Sequence, residues 1–246
     1  MKRFISVILL VIMLHGCCYA ESTTGLGGLI DGFLDFWSNL YEETTNKSHT
    51  EVVAELRDMG IDVPDEAVEK TEEEMASFQK ELSAIGYEYT EPSYEFASNL
   101  LMIIGMGEYD YDTGIWTPTS SKVYAFDAEI FDIDHMYHLF LQGVSSIVPG
   151  FEPVDIHESI EENTDDSYGK TTVSFVLNGN KYEHELCFMG DWFDEDAIDW
   201  INEVLAQEGF EYRLYKFYDW KQGLLLLYGD DSVWEKICDL IPQPEF

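Results

Sequence analysis

One acidic stretch near the middle of the chain carries residues that could bind a metal ion. Glu108, Asp110 and Asp112 stand at alternate positions and are followed by a glycine, in an E-x-D-x-D-x-G pattern. Carboxylate oxygens on a loop with a glycine at the turn are ligands that Ca²⁺ prefers. A complete EF-hand loop also needs a bidentate acid at its twelfth position, which here is Thr119 or Ser121. Because that ligand is missing, we expect no cofactor and a half-buried strand in which Tyr109 and Tyr111 alternate with the acids, with Ca²⁺ bound by these acids as the alternative.

The sequence contains none of the catalytic motifs that we considered. The sequence contains neither the G-x-S-x-G nucleophile motif nor a glycine-rich phosphate loop. Two D-x-D pairs, Asp132/Asp134 and Asp194/Asp196, each precede a helical segment, where aspartate caps free backbone N–H groups. A hydrolase that cleaves cell-wall or polysaccharide substrates with two carboxylates stays an alternative, because a fold can bring many of the 49 acidic residues together.

Three tryptophans in or beside loops form a candidate binding surface. Trp116, Trp192 and Trp220 flank strand-like segments and lie outside the helical ones. An exposed indole can stack on a sugar ring or on a peptide side chain. The alternative is that these rings pack over the ends of the sheet.

The first twenty residues have the pattern of an export signal. Lys2 and Arg3 precede an apolar run from Phe4 to Leu14, which is too short to cross a membrane as a helix. Two processing sites compete: cleavage before Glu21 releases a soluble protein, and a lipobox-like sequence predicts a lipid anchor on Cys17. We expect a secreted or cell-envelope location, with no transmembrane span in the rest of the chain.

Two cysteines follow this leader. The exterior of a cell is oxidising, so Cys187 and Cys238 could form a disulfide between a strand and the last helix. The alternative is a pair of free thiols that pack as small apolar side chains.

The net charge of −36 narrows the range of partners. Loss of the leader removes two cations and leaves 11 basic residues against 49 acidic ones. Such a charge repels nucleic acid and anionic membranes and favours cationic partners, or it serves solubility alone. Hydrophobic residues make up 46% of the chain and aromatic residues 15%, which indicates a folded protein.

The pattern along the chain predicts two regions after the signal peptide of residues 1–20. Residues 21–106 have helical spacing throughout, and residues 107–246 alternate between strands and helices. Asn178-Gly179 between two alternating apolar runs indicates a tight β-hairpin. We therefore predict an α+β fold, in which a helical layer precedes a mixed or antiparallel sheet with helices on one face.

A short repeat suggests that the second region is duplicated. Phe131-Asp132-Ile133-Asp134 matches Phe193-Asp194-Glu195-Asp196, and Gly150-Phe151-Glu152 matches Gly209-Phe210-Glu211. The two matches are offset by 62 and 59 residues. Each copy reads as a strand, a helix and two further strands, which predicts two βαββ units.

These observations favour a non-enzymatic protein that binds a protein or glycan outside the cytoplasm. Export, acidity and loop tryptophans all agree with that function. Two alternatives remain at this level: the carboxylate-dependent hydrolase, and an immunity or inhibitor protein that neutralises a cationic toxin.

Overall fold

The structure is a computed structural model that describes residues 47–86, 89, 92–110, 115–129, 135–162, 169–218 and 222–242. All of them belong to one compact unit, Thr45–Phe246. The leader with Cys17, and the predicted site residues Asp112 and Trp220, lie outside the described residues.

Three helices form the first part of this unit. They are α1 His49–Asp58, α2 Asp65–Ala84 and α3 Ser93–Gly105. A capping box starts α1, because the Ser48 hydroxyl accepts the Glu51 N–H while the Glu51 carboxylate accepts the Ser48 N–H. Pro64 and Pro92 stand immediately before α2 and α3, where a missing N–H costs nothing. The predicted helical character of this region is confirmed for the described residues.

The remaining elements alternate between strands and helices. They are β1 Glu108–Asp110, β2 Ile115–Thr117, β3 Val123–Asp127, α4 Met136–Ile147, β4 Val154–Glu162, β5 Gly169–Leu177, β6 Asn180–Phe188, α5 Asp196–Gln207, β7 Arg213–Tyr218, β8 Gly223–Gly229 and α6 Asp231–Leu240. The hairpin at Asn178-Gly179 joins β5 to β6, and both turn residues have the positive φ that this turn requires. The α+β class is confirmed.

The strands lie in two antiparallel three-stranded sheets, besides the small β1–β2 pair, instead of the single sheet expected. Their orders are β3-β8-β7 and β4-β5-β6. The first βαββ unit is β3-α4-β4-β5 and the second is β6-α5-β7-β8. The first strand of each unit pairs with the hairpin of the other unit: β3 pairs with β8, and β6 pairs with β5. The helices repeat the same relationship, because α4 contacts β3 and β4 while α5 contacts β6 and β7.

Helices cover both faces of the sheet β3-β8-β7. Phe126, Leu224 and Leu226 face a core that they share with α4 and α5. Val123 and Leu225 face the opposite way, into a second core with α1, α3 and α6. Burial on both faces explains why β8 is an unbroken leucine run without polar alternation. The expected one-sided arrangement holds for β4-β5-β6, whose other face carries exposed polar residues.

The start of α4 is capped from a neighbouring strand. The carboxylate of Glu158 on β4 accepts the backbone N–H groups of Tyr137, at 3.1 Å, and of His138, at 2.5 Å. A carboxylate at this position satisfies free donors and complements the positive end of the helix dipole. The predicted cap residues Asp132 and Asp134 lie outside the described residues.

Candidate interaction surface

The predicted calcium loop begins as a short strand. Glu108 and Asp110 lie at the two ends of β1, opposite Thr117 and Ile115 of β2. Among the described residues no group of three or more acidic, histidine or cysteine side chains is placed to hold a metal ion. Since Asp112 is outside that set, the calcium site stays a prediction.

The structure separates the three predicted tryptophans. Trp116 on β2 is half-buried: its indole N–H donates to the carbonyl of Met106 at 2.7 Å, and its ring meets Tyr124 edge-on at 5.7 Å. It therefore packs against the sheet, as the alternative interpretation expected. Trp192 is 44% exposed and pairs with Glu129 through an isolated β-bridge. Trp220 lies outside the described residues.

Polar residues beside Trp192 link the end of strand β6 to the start of helix α5 by hydrogen bonds. The carboxylate of Asp194 accepts the N–H of Cys187 at 2.7 Å and the N–H of Asp196 at 3.1 Å. The Tyr137 hydroxyl accepts the Asp194 N–H at 3.4 Å. Burial raises the pKa of Tyr137, so its hydroxyl keeps its proton at physiological pH. These contacts fix the junction between β6 and α5, beside the exposed ring of Trp192.

The predicted disulfide is absent from the structure. Cys187 and Cys238 are both free cysteines, the first exposed and the second half-buried. Cys187 lies on β6, whose buried residue Leu186 belongs to the core with α4 and α5. Cys238 lies on α6, whose residue Ile237 belongs to the other core. The two thiols therefore sit on elements that pack into different cores.

A stripe of apolar residues along α2 is the feature that sequence reasoning missed. Its members recur in steps of three and four residues, which is the spacing of a coiled-coil seam. We call this set the α2 stripe, in which Thr71 is the one polar member and Ile85 is the C-cap residue just after the helix: Val68, Thr71, Met75, Phe78, Leu82 and Ile85. The spacing was readable from the sequence, but a helix that buries its whole stripe has the same spacing.

The first half of the α2 stripe is covered by the rest of the fold. Thr71 and Met75 are buried where α2 packs on α3, and the Asn99 amide donates to the sulfur of Met75 at 3.0 Å. In the same half of α2, the Nδ1 atom of His49 on α1 lies 3.1 Å from a carboxylate oxygen of Glu72. These contacts anchor the N-terminal half of α2.

The second half of the α2 stripe faces solvent. Phe78 is 40% exposed, Leu82 is half-buried and Ile85 is 71% exposed. Tyr89 meets the Phe78 ring edge-on, with the centroids 5.8 Å apart. Clustered exposed apolar side chains mark interaction sites more often than isolated ones do.

Two glutamates, Glu74 and Glu81, flank this exposed half. Helix α2 carries seven acidic residues against two lysines, but six of the acids lie in residues 65–74, and residues 75–86 hold one acid, Glu81, and one lysine, Lys80. Within the described part of the chain, no cation lies within 4.0 Å of Glu73, Glu74 or Glu81. The negative end of the helix dipole adds negative potential at the C-terminus of α2. The exposed half of α2 thus has an apolar stripe flanked by Glu74 and Glu81, neither of which forms an ion pair with another described residue.

Comparison of the chain with protein-family models, with curated proteins and with solved structures found no match. The helices within the described ranges are each too short or too polar to cross a membrane.

Proposed function

We propose that this chain is an exported, non-enzymatic protein that binds a cationic protein outside the cytoplasm. The observation that carries the proposal is the exposed half of α2, where apolar side chains stand beside unpaired glutamates. The export part rests on the leader-like pattern of residues 1–20.

The charge of the whole chain supports a cationic partner. A net charge of −36 produces a long-range field that attracts basic proteins and speeds their encounter. The apolar stripe adds short-range affinity, because burying about 100 Å² of apolar surface contributes about 2.5 kcal/mol before the cost of association. Electrostatic attraction and apolar burial together predict binding that salt weakens without abolishing it completely.

An inhibitor of a cationic toxin is a special case of the same function. Such a protein needs a negative surface that covers a basic site on one partner. The α2 surface has that sign of charge, and the identity of the partner distinguishes an inhibitor from a structural binding protein.

Export is tested by fractionating cells that express the full chain and by measuring the mass of the product. We expect the protein outside the cytoplasm, beginning at Glu21 or carrying a lipid on Cys17. An unprocessed protein that stays in the cytoplasm would contradict export.

Binding is tested by affinity capture from the extracytoplasmic fraction, with washes at about 0.05 M and about 0.5 M salt. We expect one basic protein that is retained at low salt and largely released at high salt. A purified sample of that protein should then bind the chain directly. Retention of no basic protein at low salt would contradict the proposed function.

A further inference from the structure

We propose that the exposed half of α2 is the docking surface for an amphipathic helix of the partner, with lysine or arginine beside its apolar stripe. This inference rests on the proposed function and assigns it to one site. It commits to a helix because the exposed stripe has the geometry with which helices recognise each other.

The spacing of the α2 stripe supports a helical occupant. Met75, whose sulfur accepts the Asn99 amide, already packs on helix α3. The same steps of three and four continue through Phe78, Leu82 and Ile85, so the exposed part extends a seam that already accepts a helix. From Met75 to Ile85 the stripe runs about 15 Å, which matches about one and a half heptads of a partner helix.

The charges beside the stripe define the chemistry of that helix. Glu74 and Glu81 occupy the equivalent position in successive heptads along one side of the exposed stripe, and Gln79 lies on the other side. In a pair of helices these positions face the partner's flanking residues. Lysine or arginine on the partner would therefore stand opposite Glu74 and Glu81.

The same charges oppose a second copy of this chain as the occupant. If two α2 helices paired in either orientation, Glu74 and Glu81 would face glutamate or Gln79 of the other copy. In an antiparallel pair like charges would face each other, which is destabilising, and in a parallel pair the glutamates would gain no opposite charge, so the surface favours a basic partner.

The experiment measures binding of synthetic helical peptides to the full chain by fluorescence anisotropy. One peptide of about 21 residues carries leucine at the seam positions and lysine at the flanking positions, and a second peptide replaces each lysine with glutamate. We expect the basic peptide to bind and the acidic peptide to bind at least about tenfold more weakly.

Two double variants locate the site. F78S/I85S should weaken binding of the basic peptide about tenfold or more, whereas L139S, which alters an exposed leucine on α4, should leave it unchanged. E74Q/E81Q should weaken binding several-fold at about 0.05 M salt and less at higher salt. D199N/E203Q removes the same number of charges from the exposed face of α5 and is the matched control. Circular dichroism verifies that each variant is folded.

Several outcomes would overturn the inference. Equal binding of the basic peptide to the unaltered chain and to F78S/I85S would place the site elsewhere. Equal binding of the basic and acidic peptides would show that charge does not select the partner. A dimer of the chain that F78S/I85S dissociates would show that a second copy covers the stripe. If the basic protein is still captured by F78S/I85S in a salt-sensitive manner, the docking site is wrong while the proposed function stands.

Discussion

Met75 and Phe78 are successive members of one apolar stripe on α2, yet Met75 is buried to 6% exposure while Phe78 is 40% exposed. The two exposures differ because helix α3 packs over Met75 but does not cover the C-terminal turns of α2, where Phe78 lies. One helix therefore contributes to the core with its first half and presents a binding surface with its second.

This division predicts unequal effects of substitution on stability. We expect M75A to lower the free energy of unfolding by about 2 kcal/mol, because it empties a buried site. Replacement of Phe78 by serine should cost less than about 1 kcal/mol, since much of that ring already contacts water. Urea unfolding of both variants measures the difference. Equal losses would show that Phe78 is a core residue and that the stripe is covered.

A second prediction concerns the pH dependence of stability. The carboxylate of Glu208, at the end of α5, accepts hydrogen bonds from the Tyr182 hydroxyl and from the side-chain amides of Asn178 and Asn180, both at 2.8 Å. These bonds, with that of Tyr182 the largest cause, lower the pKa of Glu208 below its ordinary value of 4.5. The charged carboxylate therefore ties the β5–β6 turn to α5.

A carboxylate with a lowered pKa stabilises the folded state above the unfolded pKa, and this contribution is lost as the pH falls through the folded pKa. We therefore expect E208Q to be less stable than the unaltered chain at about pH 7 and to differ little from it at about pH 3. Urea unfolding at both pH values tests this, with E203Q on the same helix as the control for loss of one charge. A difference that is the same at both pH values would show that Glu208 does not act through its charge.

A third prediction concerns a close approach between α4 and β3. A Cβ atom at Gly143 would lie 2.1 Å from the ring of Tyr124, which is itself buried. Alanine favours helix formation over glycine by about 1 kcal/mol, but a clash of this size costs about 3 kcal/mol or more, so G143A should be clearly destabilised. G229A is the control, because its new Cβ would have its nearest neighbour at 3.5 Å. Similar melting temperatures for the two variants would contradict the packing of α4 on β3.

A fourth prediction concerns the thiols. Burial raises the pKa of the Cys238 thiol, and a smaller thiolate fraction slows alkylation, whereas Cys187 is exposed. In the protein that begins at Glu21, which lacks Cys17 and Cys18, we expect iodoacetamide to modify Cys187 first in the folded state and both remaining cysteines after unfolding without reductant. Mass spectrometry of the modified chain counts the groups added. If neither cysteine reacts until a reductant is added, the disulfide exists.

Local features of the fold were predictable from the sequence, and the pairing of distant strands was not. Asn178-Gly179 predicted its hairpin because two left-handed residues in a row require this kind of pair. The repeat around Phe131 and Phe193 predicted two βαββ units. No local signal indicates that Val123 pairs with Leu227, about a hundred residues later, and this pairing divides the strands between two sheets.

The candidate surface was predictable only in part, for a related reason. The steps from Met75 to Phe78 and Ile85 indicate which side of α2 is apolar, but they do not indicate where α3 stops covering it. For the tryptophans, position beside a loop could not distinguish Trp116, which is half-buried and donates to the carbonyl of Met106 at the end of α3, from the exposed Trp192. Exposure depends on tertiary neighbours, which residue spacing does not specify.

Recognition through charge is best tested by the affinity of the chain for the basic protein that it captures, determined by calorimetry over a range of salt concentrations. We expect a dissociation constant that rises steeply with salt, and weaker binding with a smaller salt dependence for E74Q/E81Q than for D199N/E203Q. A dissociation constant that does not change with salt would contradict the claim that this protein recognises its partner through its negative charge.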